Sequence, residues 1–254
     1  MEQALQLLLT EIVKITSDLK PSIYLYGSYV YNDFKLGWSD IDFICFFQGK
    51  ITAEQSNKLL KLRSQFKLTH TGNEYFSLFE GVFLNIDSYI NKQKDVIVYW
   101  GTSGERIKEE HRLTSFDLLS LLDNGNLLYG EDIRNRLTRP SLNDIINDTI
   151  YHKDTIRKII ENPTPSVYTI NWLLDISRCI YTLKTQKIIS KTEAGKWALK
   201  NNICNVKESL SKALEIRMNP QYYLHNPEIL KWSATLGNDI SKYIDVLEEY
   251  IDKS

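Results

Sequence analysis

The stretch YGSYVYNDFKLGWSDIDF, Tyr26 to Phe43, places a Gly-Ser pair after one apolar run and two aspartates, Asp40 and Asp42, at the head of another. Side chains alternate between the two faces of a β-strand, so Asp40 and Asp42 point to the same side of a strand that begins here. Two carboxylates this close repel each other unless a cation lies between them. Hard oxygen ligands on a rigid strand suit Mg²⁺, and the stretch therefore predicts a magnesium site.

The Gly-Ser pair, Gly27 and Ser28, has the features needed to bind phosphate. A glycine lets the chain turn sharply after a predicted strand, and the following N–H groups and hydroxyl can then face a phosphate. Each feature alone is common, because a Gly-Ser pair is usually only a turn and Asp-x-Asp is usually solvated charge. Together they predict a nucleoside triphosphate held through Mg²⁺.

The composition is that of an ordinary globular protein. With 254 residues, of which 43% are hydrophobic and 25% charged, the chain can form one large domain or two modest ones. The 31 Lys and Arg residues nearly balance the 32 Asp and Glu residues, and no basic cluster stands out. We therefore expect no nucleic-acid partner.

The cysteines and the hydropathy of the sequence predict the cellular compartment of the protein. No apolar run approaches the ~20 residues of a membrane span, so we expect no membrane partner. No basic segment leads into an apolar stretch near Met1. Cys45, Cys179 and Cys204 lie far apart, which favours buried thiols in a reducing compartment over disulfides or a zinc site. We expect a cytoplasmic protein that acts as a monomer.

Hydrophobic periodicity divides the chain into two halves near Pro140. The first half mixes patterns of both kinds: helices over Leu5–Leu19 and Ala53–Phe66, and strands over Ser22–Tyr26, Ile41–Phe47, Gly81–Ile90 and Asp95–Trp100. The second half has only helical patterns, over Asn143–Ile160, Val167–Ile188, Lys191–Lys200, Val206–Arg217 and Ile229–Ile251. We predict a domain over residues 1–139 and an all-helical domain over residues 140–254.

The N-terminal motif resembles that of a known superfamily. Gly-Ser, about ten residues, then Ser-Asp-x-Asp entering an apolar strand is similar to the motif of the DNA polymerase β-like nucleotidyltransferases. The resemblance implies an α+β fold, with a mixed sheet flanked by helices ahead of the helical domain. It also implies that Asp40 and Asp42 bind Mg²⁺ and the triphosphate, that Gly27, Ser28 and Ser39 are nucleotide-binding residues, and that a later strand supplies a third carboxylate.

The stretch NWLLDISRCIYTLKTQKIISKTEAGKWAL, Asn171 to Leu199, narrows the family. It resembles the C-terminal domain of the aminoglycoside 3″- and 9-adenylyltransferases, antibiotic-resistance enzymes that add AMP to streptomycin or spectinomycin. The resemblance implies that Arg178 and Lys191 contact the triphosphate. Without this pattern, we would interpret Arg178 as a residue that caps a helix. Lys191 would be a solvated residue in the first turn of the helix that follows Ser190.

The third carboxylate has two candidates: Glu80, which directly precedes the predicted strand Gly81–Ile90, and Asp87, which lies within it, seven residues later. An odd step reverses the face of a strand, so only one of them can lie beside the aspartate pair. The adenylyltransferases place their base at the start of this strand, which favours Glu80. We interpret Asp87 as a surface or strand-end carboxylate.

Two features of the sequence depart from the pattern of the family and leave the acceptor open. The segment 96–132 lacks the Arg-Glu-Phe and Gly-Glu-Trp stretch that forms part of the family's drug pocket, and Arg217 lies near the position of its nucleotide-stacking tyrosine. Trp100, Trp172 and Asp175 are candidates for lining a cleft for a cationic sugar, although helical spacing makes Trp172 equally a core residue.

The sequence thus predicts an Mg²⁺-dependent enzyme that transfers AMP from ATP to a hydroxyl of an aminoglycoside-like acceptor and releases pyrophosphate. Glu80 would accept the hydroxyl proton, and Arg178 and Lys191 would neutralise phosphate charge. One alternative keeps the chemistry and changes the acceptor to a lincosamide or an endogenous metabolite. Another is a nucleotide-binding regulatory protein that has lost turnover.

Overall fold

The protein consists of two compact units, one built around a β-sheet and one made of helices. The computed structural model describes residues 1–101, 104–161, 166–223 and 225–254. The sheet unit comprises Met1–Asn32, Asp40–Leu113 and Ser120–Arg139, and the helical unit comprises Asp33–Ser39, Thr114–Leu119 and Pro140–Ser254. The α+β class is therefore confirmed, while the boundary between residues 139 and 140 stays a prediction.

A mixed sheet of six strands, counted over the described residues, has the order β5-β4-β3-β2-β1-β6. The strands are β1 (Ser22–Leu25), β2 (Ile41–Phe47), β3 (Phe79–Asn85), β4 (Ile97–Gly101), β5 (Gly104–Lys108) and β6 (Asn126–Tyr129). Only β2 and β3 pair in parallel among these strands, and the other pairs are antiparallel. The three central strands β1 to β3 are buried on both faces, which explains their nearly continuous apolar sequence.

Residues 1–139, which form the sheet, also contain four α-helices among the described residues: α1 (Glu2–Thr16), α2 (Ala53–Thr69), α3 (Ile86–Ile90) and α4 (Ser115–Asn124). A parallel pair needs a crossover connection, and α2 supplies it between β2 and β3. It begins with a capping box in which Thr52 and Gln55 satisfy each other's backbone N–H groups. This cap fixes where the crossover helix starts.

The third predicted strand is wrong in its second half. β3 ends at Asn85, whose side chain accepts the Ser88 N–H at 2.9 Å and so caps α3. Asp87 therefore lies on a helix and not within the strand. Apolar periodicity over so short a stretch does not separate a strand from one turn of helix, whereas the capping asparagine does.

Within residues 1–139, three further strands and helices were not predicted from the sequence: β5, α4 and β6. β5 pairs with β4 along its whole length and β6 extends the opposite side next to β1, so both lie at edges of the sheet. Their sequences, GERIK and NLLY, are short and partly exposed, and they lack the apolar runs of the central strands. Edge strands are often short and weakly patterned, and β5 also carries the charged side chains typical of sheet edges.

The helical unit contains α5 (Leu142–Ile160), α6 (Val167–Thr185), α7 (Lys191–Lys200), α8 (Lys207–Met218), α9 (Pro220–Tyr223), α10 (Pro227–Ala234) and α11 (Gly237–Asp252). α6 is its central helix, with Ile170, Leu173, Leu174, Ile176 and Ile180 all fully buried. Two predicted helices were too long. α6 stops at Thr185 because Gln186 adopts a left-handed conformation, and the single helix over Ile229–Ile251 is broken into α10 and α11.

Cys45, Cys179 and Cys204 are all buried free thiols, as predicted. Within the four described ranges, no helix combines the length and the apolar character needed to cross a bilayer.

Candidate active site

The register of β2 and β3 brings the predicted acids together. Asp42 and Glu80 are direct partners in this parallel pair, so their side chains leave the sheet on the same face. Asp40 lies two residues before Asp42, just ahead of β2, and all three residues are half-buried. Because β2 and β3 are rigid central strands, these carboxylates are held at one end of the sheet.

The Gly-Ser turn lies directly against the aspartate pair. Gly27 has a φ of +69°, which favours glycine, and a Cβ atom at this position would overlap the carboxylate of Asp42. The Ser28 hydroxyl donates to the Asp40 carbonyl oxygen at 3.4 Å. The Gly27 N–H donates to Ser120 Oγ at 3.0 Å. The lack of a side chain at Gly27 therefore lets the turn lie against the Asp42 carboxylate, and phosphate contacts of Gly27 and Ser28 stay predictions.

Ser39, the third predicted nucleotide-binding residue of this region, closes a turn. Its Oγ accepts the Lys35 N–H at 3.1 Å, and its own N–H donates to the Lys35 carbonyl oxygen at 2.7 Å. Ser39 is also buried. These bonds give the side chain a structural role immediately before Asp40, and a nucleotide contact for Ser39 stays a prediction.

Arg63, which the sequence analysis missed, approaches Glu80 from α2. Its side chain is buried, and one guanidinium nitrogen lies 3.9 Å from Glu80 Oε1. Another donates to the Gly101 carbonyl oxygen at 2.6 Å and to Glu105 Oε1 at 3.3 Å. The sequence contained a sign of this role, because Arg63 is a charged residue on the apolar face of α2 formed by Leu59 and Phe66.

Two other predicted candidates lie away from the acids. Asp87 pairs with Arg136 at 2.5 Å, and its side chain is 57% exposed, so it is the surface carboxylate that the sequence suggested. Trp100 is fully buried, and its indole N–H donates to the Leu59 carbonyl oxygen at 3.1 Å. Trp100 is therefore a core residue, and its candidate place in an acceptor cleft was wrong.

In the helical unit, Arg178 and Lys191 converge on the carboxylate of Asp175. Arg178 donates to Asp175 Oδ1 and Lys191 to Asp175 Oδ2, each at 2.9 Å. Burial alone would raise the pKa of Asp175, but Lys191 and Arg178 outweigh burial and lower the pKa to about 2. Asp175, offered as a sugar ligand from the sequence, is thus a buried counterion of the two predicted phosphate-binding residues.

A second buried ion pair lies in the same unit. Arg217 donates to Asp33 Oδ2 at 2.9 Å, and Thr192 Oγ1 donates to Asp33 Oδ1 at 2.7 Å. Burial would raise the pKa of Asp33, but Arg217 and Thr192 outweigh it and hold the pKa below its usual value. Arg217 is therefore a structural partner of the segment Asp33–Ser39, which lies in sequence between the Gly-Ser turn and Asp40.

The donor set of the sheet unit fits Mg²⁺. Among the described residues no group of three or more His, Cys, Asp or Glu side chains is arranged to hold a metal ion. Two carboxylates are nevertheless what magnesium sites commonly use, since phosphate oxygens and waters complete the octahedron. Asp40 and Asp42 fit this pattern, and the absence of a side chain at Gly27 lets the Asp42 carboxylate lie directly against the Gly-Ser turn.

A Gly-Ser turn packed against a strand-borne aspartate pair on a mixed sheet defines a nucleotidyltransferase. Residues 9–71 match the family model of the nucleotidyltransferase domain, and residues 142–230 match that of the aminoglycoside adenylyltransferase C-terminal domain. The chain belongs to the aminoglycoside adenylyltransferase family and is a nucleotidyltransferase enzyme.

Among solved structures, the chain is similar to spectinomycin adenyltransferase AAD(9) from Enterococcus faecialis, a structure that contains ATP and spectinomycin. The two are 16% identical with a TM-score of 0.68, and the match covers 98% of this chain and 99% of the other. This likeness confirms the fold. No curated protein matches the sequence.

Proposed function

We propose that this enzyme transfers AMP from Mg²⁺-bound ATP to a hydroxyl of a spectinomycin- or streptomycin-like aminoglycoside and releases pyrophosphate, a reaction that inactivates the antibiotic. The observation that carries the proposal is the β2–β3 register, which pairs Asp42 with Glu80 beside the Gly27-Ser28 turn. Metal-binding and proton-accepting carboxylates thereby share one face of the sheet. The family and the ATP and spectinomycin in the similar structure support the choice of substrates.

Each residue has one role in this proposal. Asp40 and Asp42 would hold Mg²⁺, which when bound neutralises phosphate charge and so favours attack at phosphorus. Ser28 contacts the phosphates from the turn. Glu80 takes the proton from the acceptor hydroxyl as its oxygen bonds to the α-phosphorus, and the bond to pyrophosphate breaks.

Charge on the leaving pyrophosphate needs further neutralisation, which we assign to Arg178 and Lys191. Both side chains are about one-quarter exposed, at 26% and 23%, so neither is sealed in the core. The guanidinium is suited to two phosphate oxygens at once, and the ammonium acts as a point charge.

The test is pyrophosphate release from ATP and Mg²⁺ with spectinomycin, streptomycin, other aminoglycosides and lincosamides as acceptors. We expect release with an aminoglycoside, loss of release when EDTA removes the metal, and an AMP adduct detectable by mass spectrometry. Release with a lincosamide but with no aminoglycoside would show that the acceptor is a lincosamide. ATP binding without any product would instead support the regulatory alternative. Size-exclusion chromatography with light scattering tests the expected monomer.

A further inference from the structure

The carboxylate of Asp175 joins two cations that come from different helices. Arg178 lies one turn further along α6, and Lys191 is the first residue of α7. The Asp175 side chain is only 4% exposed, and each of its oxygens accepts one charged hydrogen bond at 2.9 Å. One acid thereby holds an ammonium and a guanidinium at a defined spacing.

Two cations in this position need such a counterion. Burial removes water from Lys191, and a neighbouring guanidinium repels its ammonium group, so both effects favour the neutral amine. A neutral amine binds phosphate poorly, because the attraction to a polyanion is mainly electrostatic. An unpaired buried charge is also costly to the fold.

We propose that Asp175 is a positioning residue for nucleotide binding: it keeps Lys191 protonated and holds the Lys191 and Arg178 side chains next to each other. The inference rests on the proposed function, in which these two cations bind the triphosphate. Asp175 itself does not touch the nucleotide, since both of its oxygens face the cations.

The groups around Lys191 support this assignment. Burial lowers the pKa of Lys191, Asp175 from α6 raises it, and Arg178 from α6 and Arg217 from α8 lower it. His152 from α5 also faces Asp175, and burial lowers its pKa, so it is neutral near pH 7.

Two more acids lie near these cations without replacing Asp175. Asp33 is bonded to Arg217 and Thr192, and Asp117 on α4 is half-buried and accepts from Thr114. Burial raises the pKa of Asp117. Removal of the Asp175 charge would therefore leave burial and two guanidinium groups, all of which lower the pKa of Lys191.

The experiment measures Mg²⁺-ATP binding by isothermal titration calorimetry from pH 7 to pH 10, with the full chain and with Asp175→Asn. Near pH 7, where Lys191 is protonated in both proteins, the variant should bind ATP more weakly than the parent protein, because the two cations are no longer held side by side. With rising pH its affinity should begin to fall about 1–3 pH units earlier. The gap between the two affinity curves should therefore widen with pH, which a loss of folding or of positioning alone would not produce.

A matched variant isolates the lysine. In Asp175→Asn combined with Lys191→Arg, the early fall should disappear, because a guanidinium keeps its proton throughout this range. Equal pH dependence of the parent protein and Asp175→Asn would overturn the inference, and so would an early fall that persists in the double variant.

If Asp175→Asn does not fold, the same comparison is made in an Arg178→Gln background, which removes the repelling cation. Affinity in Arg178→Gln/Asp175→Asn should fall at lower pH than in Arg178→Gln alone, and coincident curves would overturn the inference. A parent protein that binds no Mg²⁺-ATP at any pH would overturn the proposed function and this inference together. Binding with unchanged pH dependence would overturn this inference alone.

Discussion

The sheet unit and the helical unit differ in how they hold groups of side chains that carry the same charge. In the sheet unit, Asp40, Asp42 and Glu80 are half-buried acids held at one end of two central strands. In the helical unit, Arg178 and Lys191 share a buried acid of their own, Asp175. The sheet unit thus groups three acids, with the Arg63 guanidinium 3.9 Å from Glu80, whereas the helical unit holds two cations on one shared buried acid.

The difference does not lie in exposure, because the Glu80 side chain is 19% exposed and the Lys191 side chain is 23% exposed. Carboxylates grouped at one end of the sheet repel one another, and the proposed Mg²⁺ would reduce this repulsion. A partly buried lysine beside a guanidinium is instead kept charged by an acid of its own unit. The predictions below separate charges that serve chemistry from charges that hold the fold.

The largest expected effect comes from the acids of the sheet unit. Asp40→Asn and Asp42→Asn should each reduce AMP transfer by on the order of 10³-fold or more, because the metal loses a ligand. Thermal stability should be unchanged or slightly higher, since like-charge repulsion is removed. Initial rates of pyrophosphate release and thermal melts give the two readouts. Near-normal activity in either variant would refute the metal assignment.

The next effect distinguishes Glu80 from Asp87. Glu80→Gln should retain Mg²⁺-ATP binding but lose about 10²- to 10⁴-fold in rate, the usual contribution of a positioned base. Asp87→Asn is the matched control, because this carboxylate only pairs with Arg136 on the surface. Its rate should stay close to that of the parent protein. The reverse result, with Asp87→Asn inactive, would show that the wrong carboxylate had been chosen.

The third effect concerns the stability of the helical unit. Arg217→Met leaves the buried Asp33 carboxylate without its main partner and should cost about 3–5 kcal/mol of unfolding free energy. Arg217→Met combined with Asp33→Asn should cost less, because the stranded charge is removed as well.

A surface pair is the control for this experiment. Arg157 and Glu248 lie 2.9 Å apart with side chains 41% and 34% exposed, so Arg157→Met should cost about 0–1 kcal/mol. Urea denaturation of all three variants measures these values. Equal costs for Arg217→Met and Arg157→Met would mean that burial of the Asp33 pair adds nothing.

The smallest effect is the acid sensitivity of Asp175. Its pKa is about 2 in the folded protein, and an unfolded Asp titrates near a pKa of about 3.9. A lowered pKa stabilises the fold above about pH 4, and this contribution is lost as the pH falls through 2. The unfolding free energy of Asp175→Asn should thus fall less steeply between pH 5 and pH 2 than that of the parent protein. Parallel slopes from urea denaturation would contradict the pairing.

Several elements were predictable because their signals are local. β2 was predicted with its observed bounds, Ile41–Phe47, because a continuous apolar run in a short segment defines a central strand. α7 was predicted as Lys191–Lys200 because Ser190 is a strong N-cap. The edge strand β6 was missed because it pairs with β1, which is distant in sequence, and β5 was missed because its own sequence, GERIK, is too polar to show a strand pattern.

The sequence by itself determined the α+β class, the family motifs and the residues nominated for the site. Three of these features are contiguous stretches of sequence: the Gly-Ser turn, the aspartate pair and the pattern of the helical domain. The chemistry that they imply can therefore be recognised before the fold is known. Only the tertiary structure decided which of these residues meet. The β2–β3 register selected Glu80 as the partner of Asp42, and folding brought Asp175 to Arg178 and Lys191, and Asp33 to Arg217. Contacts such as Asp33–Arg217, 184 residues apart, depend on packing of the whole chain, which no local pattern encodes.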